Sequence, residues 1–285
     1  MKLLLLKGND MGTPVISIVI VNYNYGRFLE TAIKSVVEQQ SFDQCELIIV
    51  DGGSSDESVE IIKKYQDRIA WWVSEKDKGQ SDAFNKGFAH ARGRLGCWLN
   101  ADDLILPGTL AAVLRQMEMH PETEWVTGGT IFFDSQMKIW KARIGTGITK
   151  CMHKWVDATV IGGPSSFFSI KRLHDVGDFN LKLHYIMDGD LWDRFFAAGL
   201  RMVHLNRYFW GFRVHEMSKT AHALKAEKSN QFKEEERLKS NLRWKNRPDS
   251  VRVKRLKWFK ILNGSLLRSY IDTKRFAGRE IWAVS

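Results

Sequence analysis

Residues Val15 to Asn22 read VISIVIVN, and residues Glu46 to Asp51 read ELIIVD. Runs this rich in β-branched side chains, with no regular polar alternation, cannot turn one face to water. They predict strands buried on both faces, as in parallel sheets covered by helices. The intervening residues agree. From Gly26 to Gln40, Phe28, Leu29, Ala32, Ile33, Val36 and Val37 recur at helical spacing. A strand is expected again at Ile69–Val73, a helix at Gln80–Ala91 and a strand at Leu95–Asn100. Pro107 suits the first position of a helix running to about His120. The serines of GGSSDES, which follows the second strand, are expected to cap a helix starting near Asp56.

Strands alternating with helices define an α/β protein built on a parallel sheet. After Glu124 the pattern changes: EWVTGGTIFFDSQMKIWKARI predicts longer, mixed or antiparallel strands with a turn near Asp134–Gln136. A helix is expected at Asp188–Ala198 and one or two strands between Leu200 and His215. From about Ser218 the sequence is helical and charged. The expected organisation is a folded domain over residues 14–217 followed by a helical, basic extension over 218–285.

Charge marks the same division. The chain carries a formal +10. The segment from Arg237 to Arg279 holds fourteen Lys or Arg against Asp249 and Asp272, a surplus of twelve that leaves the remainder at −2. Within it Leu256, Phe259, Leu262, Leu266 and Tyr270 recur at steps of three or four among basic residues, the pattern of an amphipathic helix on an anionic membrane. The alternative is a helix packed on the domain with a solvated basic face. No nucleic-acid motif accompanies the charge, so no nucleic-acid partner is expected. The three cysteines, Cys45, Cys97 and Cys151, form neither a metal spacing nor a disulfide framework. The apolar patch Leu3–Leu6 is too short for a signal-peptide core, and no run approaches a spanning helix. The expected location is cytoplasmic, peripheral at the inner face of the cell membrane.

In open α/β sheets ligands bind at the carboxyl ends of the strands. Three such ends carry polar clusters: Asn22-Tyr23-Asn24, Asp51, and Asn100-Ala101-Asp102-Asp103. Adjacent carboxylates repel and are costly to desolvate, and a divalent ion such as Mg²⁺ or Mn²⁺, shared with phosphate oxygens, removes the repulsion. The bland alternative is that the pair caps the helix near Pro107. Neither G-x-G-x-x-G nor G-x-x-x-x-G-K-[ST] follows the first strand, which argues against dinucleotide dehydrogenases and phosphate-loop ATPases.

The stretches PVISIVIVNYNYGRFLETAIKSVVEQ, ELIIVDGGSSDES, SEKDKGQSDAFNKGFAHARG and WLNADD resemble, in order and spacing, the nucleotide-binding half of family-2 glycosyltransferases of the GT-A fold. The resemblance runs from about Pro14 to His215. It implies a mixed, mostly parallel central sheet with flanking helices and an inverting transferase. Its donor would be a nucleotide-diphosphate sugar, with UDP favoured, its cofactor a divalent metal, and its acceptor a glycan or lipid-linked glycan. Carried over by position, Tyr23 would pack on the base and Asp51 hydrogen-bond it. Asp102 would lie near the ribose and Asp103 would ligate the metal. The segment DKGQSDAFNKG points to Asp77, Gly79, Asp82 and Lys86 as nucleotide-sugar contacts, although Asp82 and Lys86 also suit an i,i+4 ion pair. Val21 departs from the family pattern, which has Pro or Thr there. HYIMDGDLWDRFFAAG resembles the motif supplying the catalytic base, with Asp188 as candidate, Asp190 as rival, and Met187 where an acid is usual. In RVHEMSKT, His215 would reach the metal or pyrophosphate. A binding module without turnover and a basic membrane adaptor are the competing classes.

Overall fold

The computed structural model of the chain describes residues 13–152, 161–216 and 249–284. The Leu3–Leu6 patch, the 217/218 boundary and the basic residues between 237 and 247 lie outside the described residues.

Strands β1 (Ile16–Asn22), β2 (Cys45–Asp51), β3 (Trp71–Ser74) and β4 (Leu95–Asn100) pair in parallel, in the order β3-β2-β1-β4. The remaining strands extend the sheet beyond β4. They are β5 (Leu104–Ile105), β6 (Trp125–Phe133), β7 (Ile139–Arg143), β8 (Ser166–Ser169) and β9 (Val203–Arg213). Here the order is β4-β8-β6-β9-β5, with β7 on the far half of β6. β8 runs antiparallel to β4 and β6, β7 antiparallel to β6, and β9 parallel to β6. The result is the mixed, mostly parallel α/β sheet expected. The two-residue β5 pairs with β9 through Leu104 and Ile105, a contact too short to leave a periodic signal in sequence.

Helices α1 (Gly26–Val37), α2 (Ser58–Lys64), α3 (Gln80–Ala89), α4 (Thr109–Met119), α5 (Ile170–Asp175) and α6 (Met187–Ala197) flank it. β1 explains the need for both layers. Ile18 and Ile20 pack with Leu29, Ile33 and Val36 of α1, while Val19 and Val21 pack with Phe84 and Phe88 of α3. Two local expectations change. Helix α2 starts at Ser58 with Glu57 in the cap position and no side-chain cap; the Asp56 carboxylate before it accepts the Ser58 N–H at 3.1 Å and the Gly26 N–H at 2.9 Å, while Ser54 turns to Asp51. Pro107 lies two residues before α4, because Gly108 takes the left-handed conformation (φ 75°) that starts the helix.

The basic segment forms two helices, α7 (Asp249–Leu262) and α8 (Ser265–Phe276), broken at Gly264 with φ 72°, where a single amphipathic helix was expected. β7 is an edge strand whose free N–H groups need partners, and α8 supplies hydroxyls. Ala142 N donates to Thr273 Oγ1 at 2.9 Å and Ile144 N to Ser269 Oγ at 3.1 Å. Beyond α8, Ile139 N donates to Arg279 O and Gly278 N to Ile139 O. Phe276, Ile281 and Val284 share a core with Leu104, Ile131, Phe133 and Ile139.

α3 sits unusually close to the sheet because of Gly87. A Cβ there would lie 2.3 Å from Val19 Cγ1 and 3.3 Å from Val50 Cγ2, both buried. In an exposed helix, Gly→Ala adds about 1 kcal/mol of stability. Here overpacking opposes that gain, typically by about 1–3 kcal/mol. Gly87→Ala should therefore lower the urea midpoint, and a raised midpoint would show that α3 has room to move outward.

Candidate active site

Parallel register brings the strand ends level: Asn22 pairs with Asp51, Val21 with Asn100, and Asp51 with Ser74. A cavity of about 430 Å³ opens at that edge, within the range for small-molecule and cofactor sites. Tyr23, Asp77, Gly79, Asn100 and Asp102 line it from the first half of the chain. His184, Tyr185, Asp188, Trp210 and Phe212 line it from the second.

Tyr23 and Asp77 meet over Gly52. A Cβ at Gly52 would lie 2.6 Å from Asp77 Oδ2 and 3.3 Å from the Tyr23 ring, so the missing side chain is what admits the Asp77 carboxylate. Gly79 N donates to Asp77 Oδ1 at 2.8 Å, and Gly79 (φ 111°) turns the chain into α3. The next residue, Gln80, donates through Nε2 to Asn100 Oδ1 at 2.5 Å, tying α3 to the end of β4.

Asp51, expected at the base, lies beneath this surface. It is fully buried and accepts hydrogen bonds from Asn22 Nδ2 (2.6 Å), Ser54 N (2.9 Å), Ser54 Oγ (2.5 Å) and Ser74 Oγ (2.6 Å). Its lone pairs are spent on holding the loops after β1, β2 and β3 together. Asp82 and Lys86 also lie off the cavity. Lys86 Nζ is 2.8 Å from Glu75 and 3.6 Å from Asp82, whose Oδ2 also accepts the Lys78 N–H. The Glu75 hydrogen bond raises the Lys86 pKa. The i,i+4 ion pair is the arrangement observed.

The carboxylate pair divides. Asp103 is fully buried and absent from the cavity wall: its Oδ1 accepts the Arg213 N–H at 3.1 Å and its Oδ2 accepts Asn100 Nδ2 at 3.1 Å. Burial, and then the adjacent Asp102 charge, push its pKa well up. Asp102 faces the cavity, and its Oδ2 lies 3.0 Å from His215 Nε2. The buried Arg213 guanidinium donates to Asp102 O at 2.8 Å and is sandwiched between the Phe28 and Phe133 rings, 4.7 Å from each centroid. Asp103, expected to ligate the metal, has both oxygens facing protein donors, whereas Asp102 is the member of the pair that reaches the cavity. Arg213 stands two residues before His215 in the strand-end segment and carried no separate signal. Tyr25, two residues after Tyr23, also lines the cavity, and burial, then the Asp102 charge, raise its pKa to about 12.

Asp188 opens α6 and lines the cavity, with its Oδ1 accepting the Gly189 N–H at 2.6 Å. Asp190 points elsewhere: buried, it pairs with Arg194 Nε at 2.9 Å and Nη2 at 2.8 Å.

A metal at this site would meet few protein ligands. No group of three or more His, Cys, Asp or Glu converges among the described residues. Asp102 Oδ2 and His215 Nε2 form a two-donor set, and His215 Nδ1 is buried without a hydrogen-bond partner among the described residues. One carboxylate and one imidazole suit an ion that completes its shell with substrate phosphate and water.

The profile of glycosyl transferase family 2 matches residues 17–172. An uncharacterized glycosyltransferase of Mycobacterium tuberculosis is 37% identical over 170 residues, covering 59% of this chain and 63% of that protein. One from Nostoc is 40% identical over 103 residues, covering 35% of this chain and 32% of that protein. The chain thus spans less than two thirds of the length of these relatives. The putative glycosyltransferase EpsE of Bacillus subtilis is 28% identical, with 70% of this chain and 73% of that protein covered. Among solved structures, S. aureus TarS 1-349 in complex with UDP-GlcNAc aligns with TM-score 0.59 at 16% identity, covering 72% of this chain and 60% of that one. The mannosyltransferase PcManGT from Pyrobaculum calidifontis in complex with GDP-Man and Mn²⁺ aligns with TM-score 0.57 at 18% identity, covering 77% and 62%. These likenesses establish a shared GT-A fold.

The division of the carboxylate pair is testable by stability alone. Asp103→Ala strands the buried Arg213 N–H, a loss of about 1–3 kcal/mol. Asp102→Ala removes a side-chain contact to His215 at the cavity wall and leaves the hydrogen bond from Arg213 to the backbone carbonyl of residue 102 in place. In urea unfolding Asp103→Ala should be clearly the less stable, and equal midpoints would contradict the division.

Proposed function

The chain belongs to glycosyl transferase family 2, and from that membership we propose that it moves a sugar from a nucleoside diphosphate donor to a glycan or lipid-linked acceptor, inverting the anomeric carbon. The carrying observation is that a single cavity gathers the Tyr23 ring, the Asp77 and Asp102 carboxylates and the helix-terminal Asp188 carboxylate, with His215 buried beside Asp102. Tyr23 offers its ring to the base. Asp77, an acceptor only when ionised, selects a base with a ring N–H, such as uracil, thymine or guanine. UDP is the favoured nucleotide of this reading. TarS was solved with UDP and with UDP-GlcNAc, whereas PcManGT was solved with GDP-Man.

Asp102, with His215 beside it, would hold a divalent ion between protein and diphosphate. When bound, such an ion neutralises the charge that builds on the departing diphosphate. Asp102 therefore takes the metal-facing role that the sequence reading gave Asp103. Arg213 holds the pair in place from behind, through the Asp102 carbonyl and the Asp103 carboxylate. Asp188, on the second half of the cavity wall, accepts the proton of the acceptor hydroxyl as that oxygen attacks the anomeric carbon. The ion pair of Asp190 with Arg194 supports giving this role to Asp188. Trp210 and Phe212, with ring centroids 5.0 Å apart, give the acceptor side an aromatic wall.

Two experiments test this. In thermal unfolding with UDP, GDP or dTDP, each with and without Mn²⁺, one nucleotide at about 100 times its Kd should add about 2.7 kcal/mol of apparent stability. Asp102→Ala should abolish the Mn²⁺-dependent part, and its survival would remove Asp102 from the metal. In transfer assays Asp188→Asn should lower kcat by about 100-fold or more with donor affinity unchanged, the size of a general-base effect. Near-normal turnover by that variant, or retention of configuration in the product, would defeat the mechanism.

A further inference from the structure

Helix α8 is amphipathic the wrong way round. Its inner face carries Ser265, Ser269, Asp272, Thr273 and Phe276, because what it meets is the polar edge of β7. At 100° per residue, Leu266, Leu267, Tyr270, Ile271 and Lys274 fall on the opposite side. All four apolar side chains there are exposed, Leu267 by 65% and Tyr270 by 62%. The end of α7 adds Trp258 (60%), Ile261 and Leu262 (77%), while Phe259 alone among its described apolar side chains turns inward. Trp140, on the strand against which α8 packs, and Trp282, in the turn after α8, are exposed too. Scattered surface leucines need no explanation, but exposed apolar side chains concentrated on two consecutive, touching helices mark an interaction surface.

The chemistry of its surround selects the partner. Between Lys254 and Arg279 the sequence has eight Lys or Arg and one acid, Asp272. That acid is buried and taken by Arg268 Nε (3.0 Å) and Tyr208 Oη (2.5 Å). Lys254, Lys257, Lys274 and Arg275, on the same two helices, are exposed, and Glu280 is engaged with Lys138 at 3.4 Å. The centre of a protein–protein interface is depleted in Lys. Apolar side chains interspersed with Lys and Arg, and rimmed by Trp and Tyr, suit the headgroup region of a bilayer. With 14 and 12 residues, α7 and α8 are too short to cross it, and no described helix is long and apolar enough to do so. We propose that the outer face of α7 and α8 docks the protein onto an anionic lipid surface, lying in the headgroup plane while the inner face stays on the sheet. This inference does not depend on the donor or on the transfer chemistry.

The test is flotation of the full-length protein with vesicles of phosphatidylcholine, alone or mixed with phosphatidylglycerol. The wild type should float with the mixed vesicles and stay behind with the neutral ones. The variants Leu267→Glu/Ile271→Glu and Lys274→Glu/Arg275→Glu should each lose about 10-fold or more in partitioning, one through the apolar and one through the charge contribution. Both should keep the wild-type melting temperature and nucleotide-induced stabilisation, which separates this result from a failure of the donor site. Four outcomes would overturn the proposal. They are no flotation of the wild type, wild-type flotation by both variants, a large drop in melting temperature for Leu267→Glu/Ile271→Glu, or a vesicle-free dimer that this variant dissolves. The third would place the face under another part of the protein, and the fourth would assign it to a second copy.

Discussion

The hydrogen bond from Arg213 N to Asp103 is the contact on which the arrangement of the site rests. Two neighbouring carboxylates at one strand end cannot both be buried without opposing charge, and cannot both face one ligand without repelling each other. The chain resolves this by sending one inward. Asp103 takes the backbone N–H of the last residue of β9 and the Asn100 amide, which locks the turn after β4 to a strand over 100 residues later. With Asp103 anchored, Asp102 has only one direction left, toward the cavity. Arg213, held between Phe28 and Phe133, supplies positive charge to the pair without entering the cavity.

The opposite wall is set by how closely backbone approaches backbone. Gly87 lets α3 settle onto Val19, so its N-terminal turn arrives at the strand ends at the height of Asn100. Gly52 leaves the space that the Asp77 carboxylate fills, and Gly79 turns the chain into the helix. Asp51 sits below as a four-way acceptor that fixes three loops at once. The residues that present chemistry to the cavity are thus held by a layer of polar residues that do not touch it.

Much of this was legible in the sequence. Buried β-branched runs and the helical spacing between them sufficed for β1 to β4 and for the helices among them, because a parallel sheet leaves no exposed face to blur the pattern. Tyr23, Asp77, Gly79, Asp102 and Asp188 all line the cavity; strand-end position was the signal for Tyr23 and Asp102, and the family resemblance for Asp77, Gly79 and Asp188. Where expected and observed positions part, one reason recurs. Motif position tells which residues cluster, whereas burial decides which of two neighbours faces the ligand. Asp51, Asp103, Asp82 and Lys86 are all near the site, and each is turned to a protein partner. Arg213, Tyr25 and the two-residue β5 escaped because their roles come from contacts across more than 100 residues or from the wall opposite the motif.

The C-terminal helices show the same limit from the other side. A row of apolar residues at steps of three or four reports an apolar face, not where that face points. Most amphipathic helices turn it inward because they pack on the face of a sheet, which is apolar. α8 packs on an edge, and an edge presents N–H and C=O groups that must be paired if they are covered. Hydroxyls at Ser269 and Thr273 meet that demand, so the helix must give its inner face to polar residues. Packing on the domain and an apolar outer surface, which appeared in the sequence as competing alternatives, are therefore two consequences of one contact. The sheet edge claims the polar side of α8, and geometry leaves Leu266, Leu267, Tyr270 and Ile271 on the other.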